Sequence, residues 1–322
     1  MKRGPERVHI HDVALRDGLQ IEPVFVPTAD KLRLCNALSR TGLDKIEVTS
    51  FTSPKAIPAL ADAAELMQRI DRAPGVTYAA LVPNTRGAER ALACGVDEIN
   101  LVMSASDSHS QANLRMSPER SLQQFEDVVA LVHQTPGAQV AFNASLSTAF
   151  GCPFDGEVPM ARVFGLIERI AALGIQRITL CDTTGMAHPA QVERLCSEVL
   201  ARWPHISFTA HFHNTRSMGL ANALVAWQAG IRRFDASLGG LGGCPYAPGA
   251  SGNVCSEEIV HALALMGYDT GVDLAQLIAA AQRLPALIGH DVSSQIAKAG
   301  PRLALHPVPA DFEAIRERAL AR

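Results

Sequence analysis

The sequence predicts a (β/α)8 barrel, a TIM barrel with a C-terminal helical appendage, and three observations carry that expectation. Short β-branched runs alternate with helical patterns, and the candidate strands number eight, the count of a closed barrel of about 250 residues. One shape also recurs along the chain: a helical run, a Gly, an apolar residue, two polar residues and a strand. It is read in LSRTGLDKIEV around Gly42, ALACGVDEINLV around Gly95, IAALGIQRITL around Gly174 and AWQAGIRRFDAS around Gly230. A Gly after a helix supplies the left-handed cap that turns the chain back, and the short apolar strand that follows suits a parallel strand buried on both faces. Finally, no GxGxxG opens the chain, so the competing open, doubly wound sheet lacks its phosphate-binding fingerprint.

Taken in order, strands are expected over residues 8–13, 46–49, 77–82, 99–103, 139–143, 178–181, 207–212 and 233–236. Helices are expected over 28–40, 57–70, 85–93, 118–133, 159–172, 189–201 and 218–229. Pro118, Pro159 and Pro189 stand where a proline at the first helical position would start a helix. Beyond residue 254 the pattern is helical over 254–266, 274–284 and 312–322, with the turn-rich HPVPADF before the last. The expected organisation is a catalytic barrel over residues 1–270 and C-terminal helices over 271–322 packed on it.

Hydrophobic residues make up 48% of the 322 and charged residues 19%, enough apolar material for a large core and too little charge for disorder. A net charge of −3 and 5% aromatics argue against nucleic acid, which asks for a basic surplus and stacking platforms. The apolar stretches are interrupted too often for a membrane span. The start, MKRGPERVHIHD, is basic but no apolar segment follows it, so it does not read as a signal peptide. Seven Cys at scattered spacings without a CxxC point to free thiols in a reducing, cytoplasmic setting.

Barrel enzymes carry their chemistry at the C-terminal strand ends, and ionisable residues gather there. Strand 1 runs into DVALRDGLQ, putting Arg16, Asp17 and Gln20 at the rim; strand 2 ends at Glu47, Thr49 and Ser50; strand 5 at Asn143 and Ser145. Strand 6 ends in CDTTG with Asp182 and Thr183, and strand 7 in HFHN with His211, His213 and Asn214. Residues two apart on a strand share a side, so His211 and His213 form either a metal half-site or a pair of hydrogen-bonded core histidines. Asp17 adds a carboxylate and Asn253 a second oxygen. That mixed N/O set favours Mg²⁺ or Mn²⁺, with catalytic zinc left open. The glycine-rich loop from 239 to 253 reads as a lid carrying Cys244, a thiol that can donate or accept a proton once the lid closes. Arg16 can steady a developing enolate or pair with Glu47 or Asp182. Glu47 can orient Arg16 or a metal ligand. Cys35, Cys94, Cys196 and Cys255 fall in helical patterns and read as packing residues; Cys152, in FGCPFDG, reads equally as packing or function.

These segments resemble a known family. LRDGLQ, EVTSFTSPK, FGCPFDG, CDTTG, HFHN and GGLGGCPYAPGASGN are similar to motifs of the 3-hydroxy-3-methylglutaryl-CoA lyase family, metal-dependent barrels with an Arg-Asp motif, and the resemblance spans residues 7 to 300. It implies Asp17, His211, His213 and Asn253 as ligands of a divalent cation, Arg16 as enolate stabiliser and Cys244 as loop thiol. It further implies Asp182 near the reacting hydroxyl, His211 or Asp182 as base, and Gln20, Asn113 and Ser145 along the substrate path. The implied reaction is a retro-Claisen cleavage of an acyl-CoA substrate to acetyl-CoA and a 3-oxo acid, by a homo-oligomer, a dimer, serving leucine degradation or ketone-body chemistry. The chain departs from the family pattern at Ile21 and Pro23, at Asn214 to Met218, and at Ser108 to Ala112, where a Lys-rich stretch is usual. These departures touch the acyl and CoA path more than the metal set, so citramalyl-CoA is a second candidate substrate. A condensing acyl transferase on the same barrel is a third reading, disfavoured by the GGCP loop and the short C-terminal region.

Overall fold

A computed structural model of the chain describes residues 7–243 and 252–321. Eight parallel strands close in chain order: β1 His9–Asp12, β2 Lys45–Ser50, β3 Thr77–Leu81, β4 Glu98–Ser104, β5 Ala141–Ser147, β6 Arg177–Asp182, β7 Ser207–Phe212 and β8 Arg233–Ala236. β8 pairs with β1 through His9 to Asp12, which completes the ring. The helices of the outer layer are α1 Thr28–Leu38, α2 Ala63–Arg69, α3 Thr85–Ala93, α4 Pro118–Gln134, α5 Met160–Ala172, α6 Pro189–Arg202, α7 Gly219–Ala229 and α8 Ser256–Leu265. The four recurring glycines, Gly42, Gly95, Gly174 and Gly230, all have positive φ, as a helix-to-strand turn requires.

Local sequence explains each element. In α4, Pro118 occupies the first turn, the Ser117 side chain accepts from the Arg120 N–H, and Leu122, Phe125, Val128, Val129 and Val132 form one buried stripe. The apolar residues of the strands, such as Ile46, Val48, Ile99, Leu101, Ile178 and Leu180, are buried beneath such stripes. Each contributes roughly 1.5–3 kcal/mol. The alternate residues point into the barrel and are polar. Glu98 accepts from Lys45 Nζ at 2.7 Å and Arg177 Nη1 at 2.6 Å. One layer up, Asn100 Nδ2 donates to Glu47 Oε1 at 2.7 Å, and Asn100 Oδ1 accepts from Asn143 at 2.9 Å and Ser145 at 2.8 Å.

Three expectations need correction. β5 lies further along the chain than residues 139–143, because small Ala and Ser side chains continue the ladder to Ser147; Asn143 and Ser145 are therefore buried inside the barrel and not at its rim. The helix expected over 57–70 is a turn at Pro58–Leu60 followed by α2, with Asp62 at the join bonded to Lys31 and Thr28 of α1. The C-terminal region packs on the barrel only in part. Helices α9 Leu274–Ala281, α10 Leu284–Ile288 and α11 Gln295–Ala299 each bury residues, and α9 lies against α1 and α8. Residues 301–321 are exposed throughout, including α12 Phe312–Leu320, although the Arg302 N–H still bonds His261 of α8 at 3.1 Å.

Asp12 alternates with the inward-facing residues of β1 and lies outside the ring, fully buried. It accepts from the Ala14 N–H at 2.9 Å and from Ser256 Oγ, at the start of α8, at 2.6 Å. Burial pushes its pKa up to about 6. Between the ordinary carboxylate value and 6 the folded chain holds a proton that the unfolded chain has lost, so stability falls as pH rises through that window. Above it the penalty is fully present, at about 3 kcal/mol. Asp12→Asn keeps the Ala14 bond through Oδ1 and can donate from Nδ2 to a rotated Ser256 hydroxyl, and it is expected to raise Tm at pH 8 by a few degrees, and by less at pH 5. A gain equal at both pH values, by thermal denaturation, would contradict the assignment.

Candidate active site and metal centre

At the end of β1 the chain makes one wide turn, Ala14–Gly18, in which the N–H groups of Arg16, Asp17 and Gly18 all converge on the Val13 carbonyl. Consecutive residues of an extended strand would face opposite ways; this turn lets Arg16 and Asp17 both reach the barrel mouth. Arg16 Nε donates to Glu47 Oε2 at 2.6 Å and Nη1 to Asp17 Oδ1 at 2.7 Å. Burial alone would lower the guanidinium pKa, but the Glu47 and Asp17 carboxylates outweigh it and hold Arg16 charged. The ion-pair partners of Arg16 are thus Glu47 and Asp17, with Asp182 outside the pair.

His211 closes on the same space from β7, and His213 follows just past the strand. Together with Asp17 they form a buried group able to hold a metal ion, with ligand atoms all within 4.8 Å of one another. Asn253 joins them because the chain passes over the barrel mouth from Gly252 to Val254. His213 and Asn253 form an antiparallel bridge, the Val254 N–H donates to the Phe212 carbonyl, and the Asn214 N–H donates to the Gly252 carbonyl. Asn253 Nδ2 donates to Asp17 Oδ2 at 2.7 Å and to the Leu241 carbonyl at 2.9 Å. Its Oδ1 is then buried without a hydrogen-bond partner, as is His213 Nδ1. Buried polar atoms are ordinarily paired; the unpartnered Asn253 Oδ1, with His213 Nε2 facing Asp17 Oδ2 at 3.7 Å, fits a cation bound by nitrogen and oxygen.

The protonation states of Asp17 and His213 suit that role. Burial would raise the Asp17 pKa, but Arg16 and the two histidines pull it below the usual range. Burial pushes His213 down to about 4, leaving a neutral ring with a free lone pair. For His211 burial acts downward, but its hydrogen bond to Asp235 and the Asp17 charge prevail and raise it. Asp182, at the end of β6, accepts from the Met186 and Ala187 N–H groups through Oδ1, at 2.7 and 3.1 Å. Its Oδ2 is buried and unpartnered, and burial lifts its pKa to about 6, within reach of proton-transfer work near neutrality.

The remaining expected residues are less central. Gln20 reaches Asp17 Oδ1 only at 3.5 Å. Ser145 is tied to Asn100 below the rim. Asn113 lies exposed in the turn Ser110–Leu114 after β4, outside the buried group. Cys152 Sγ sits 2.8 Å from Ser106 Oγ and accepts from the Phe154 and Asp155 N–H groups, which makes it a loop anchor. Cys35, Cys94, Cys196 and Cys255 are buried free thiols, as expected. Cys244 lies outside the described residues. Sequence reasoning missed Asp235 and His11, which bond each other at 2.9 Å inside the barrel; the available signal was a histidine and a carboxylate each flanked by an apolar residue in the short runs HIHD and RFDA.

A closed parallel barrel with a buried Asp–His–His group at its C-terminal mouth defines a (β/α)8 enzyme with a candidate metal site. The HMGL-like family model matches residues 7–284, and the chain belongs to that family. It is 47% identical over 291 residues to the hydroxymethylglutaryl-CoA lyase of Bacillus subtilis, covering 90% of this chain and 96% of that one. It is 42% identical over 306 residues to the (R)-citramalyl-CoA lyase of Chloroflexus aurantiacus, covering 92% and 96%. The structure of an HMG-CoA lyase from Acinetobacter baumannii in complex with coenzyme A and 3-methylmalate superposes with a TM-score of 0.91 at 48% identity, covering 96% of this chain and 100% of that one.

Gly252 makes the return strand possible. Its φ is +97°, and a Cβ there would lie 1.9 Å from the Gly240 carbonyl oxygen. Gly252→Ala is expected to displace Asn253, lowering both Tm and the amount of Mn²⁺ retained. Gly75 also has positive φ (+82°) but open space around it, so Gly75→Ala should lose only the backbone term of about 1–2 kcal/mol and leave Mn²⁺ binding unchanged. Equal behaviour of the two variants would sink the steric argument.

Proposed function

We propose that this carbon–carbon lyase cleaves 3-hydroxy-3-methylglutaryl-CoA to acetyl-CoA and acetoacetate with Mg²⁺ or Mn²⁺ held by Asp17, His211, His213 and Asn253. The observation that carries the reading is the buried Asp–His–His group set against a charged Arg16 that is already locked by Glu47. A divalent cation bound there supplies Lewis-acid polarisation of the substrate's hydroxyl and carboxyl oxygens. Asp182 or His211 takes the proton of the tertiary hydroxyl. As the C–O bond becomes a carbonyl, the C2–C3 electron pair passes to the thioester and forms the acetyl-CoA enolate. Arg16, fixed before substrate arrives, meets that charge without reorganisation. Cys244 returns a proton to C2, completing acetyl-CoA. Gln20, Asn113 and Ser145 belong to the substrate path in this reading. A cytoplasmic homodimer serving leucine breakdown or ketone-body formation completes it.

Citramalyl-CoA is the second reading, supported by the Chloroflexus relative and by Arg216. That residue is exposed beside the mouth, donates to the Thr184 and Gly185 carbonyls at 3.1 and 2.9 Å, and lies close enough to act on the Asp182 charge. A panel of 3-hydroxyacyl-CoA thioesters assayed for acetyl-CoA release separates the two, and the larger kcat/KM is expected for the methylglutaryl substrate. Chelation should abolish turnover and Mg²⁺ or Mn²⁺ restore it, while undiminished activity after stripping would refute the metal assignment. Arg16→Gln should lower kcat by about 2.7–4 kcal/mol in barrier terms with little change in KM; the reverse pattern would make Arg16 a binding residue. Cys244→Ser should keep fold and metal yet lose most turnover, and substrate should protect the wild-type thiol from alkylation. Wild-type turnover by that variant would move the proton return to another group.

A further inference from the structure

We infer that Asp235 is a positioning residue for the metal centre, orienting His211 from inside the barrel, and that His11 in turn fixes Asp235. The inference depends on the reading of Asp17, His211, His213 and Asn253 as a cation site. Asp235 lies on β8, between β7 and β1 in the closed ring. Its Cα registers with His211 on one side and with His11 on the other, so the three side chains form one lateral rung facing the barrel interior. His11 Nδ1 is 2.9 Å from Asp235 Oδ1 and His211 Nδ1 is 3.4 Å from Asp235 Oδ2. All three residues are buried.

A carboxylate can only accept. Each imidazole must therefore turn a protonated Nδ1 toward Asp235, which leaves the His211 Nε2 lone pair for the space shared with Asp17 and His213. An imidazole fixed in one tautomer by a carboxylate behind it is the arrangement that raises ligand basicity in metal sites. At 3.4 Å the His211 contact is an ion-pair approach just beyond the usual N–H···O range, and the shorter His11 bond, at 2.9 Å, holds Asp235 on the other side. Lys45, in register with His11 on β2, places a cation at the far end of the rung. None of these three groups sits at the rim, and none would touch a substrate at the mouth.

Histidine-selective ¹⁵N spectra of the metal-free wild type, with the His211 signal assigned by its loss in His211→Asn, should show the proton on Nδ1. A neutral His211 ring with its single proton on Nε2 overturns the inference without any further variant. Mn²⁺ titration followed by electron paramagnetic resonance then tests the consequence. Asp235→Asn presents an amide N–H to one imidazole, and its Mn²⁺ dissociation constant should rise by about 10–100-fold. His11→Ala should weaken Mn²⁺ binding several-fold. His11→Asn, whose side-chain amide can replace the Nδ1 donor, should return it to within about threefold of wild type, a rescue that a merely space-filling role would not give. His213→Ala serves as the direct-ligand control. If it loses Mn²⁺ while Asp235→Asn binds like wild type, the positioning role is wrong and the metal site stands. If wild-type protein binds no Mn²⁺ at all, the metal reading falls and takes this inference with it.

Discussion

The site depends on one buried carboxylate, Asp17, and on the cation beside it. Its two oxygens have separate duties: Oδ1 receives Arg16, and Oδ2 receives Asn253 and faces His213. A carboxylate buried without such partners would take up a proton; here the permanent charge of Arg16 keeps it ionised. The arrangement also restrains Arg16. Held between Glu47 and Asp17, the guanidinium has little freedom to swing away, and Glu47 is itself tied to Asn100. The Ala14–Gly18 turn, the returning strand at Gly252 and the polar ladder inside the barrel all serve to keep this pair in place.

The barrel interior is built of hydrogen-bonded polar layers more than of branched aliphatic ones. Lys45 and Arg177 both donate to Glu98; His11, Asp235 and His211 form a rung that Lys45 adjoins through its register with His11, and Glu47, Asn100, Asn143 and Ser145 make a third network. Such networks stabilise only when nearly every member is satisfied, and that condition limits how any one side chain can turn. The apolar residues on the outer face of the strands supply the cohesion, packed under the helical stripes. Stability and chemistry are thereby assigned to opposite faces of the same strands.

Much of this was legible in the sequence, for reasons that can be named. The repeated helix–Gly–strand unit marked the barrel because each Gly stands where only a left-handed cap lets the helix reverse. β7 and β8 were placed at their observed bounds because HFHN and RFDAS end sharply. β5 was not, since Ala and Ser in NASLS carry weak strand preference and are held by the polar interior, which one-dimensional periodicity does not register. The polar run over 312–322 was correctly expected to be helical, but a helical pattern cannot say whether a helix finds a surface to cover, and α12 buries none. Asp235 and His11 were overlooked because the search for chemistry was confined to strand ends, whereas their partnership is created by barrel closure between β8 and β1.

The choice of base illustrates how the parts constrain one another. His211 has two ring nitrogens; Nδ1 faces Asp235, and the other is the atom it can offer to a cation shared with Asp17 and His213. No nitrogen is then left to receive a proton from substrate without surrendering one of those contacts. Asp182 is placed differently. Its Oδ1 is anchored by two backbone N–H groups, which fixes the side chain, while Oδ2 is buried with no partner. Burial has already brought its pKa to about 6, so it can hold a proton near neutrality and release it again. Within the proposed cleavage, the geometry therefore favours Asp182 for the hydroxyl proton and leaves His211 to the metal.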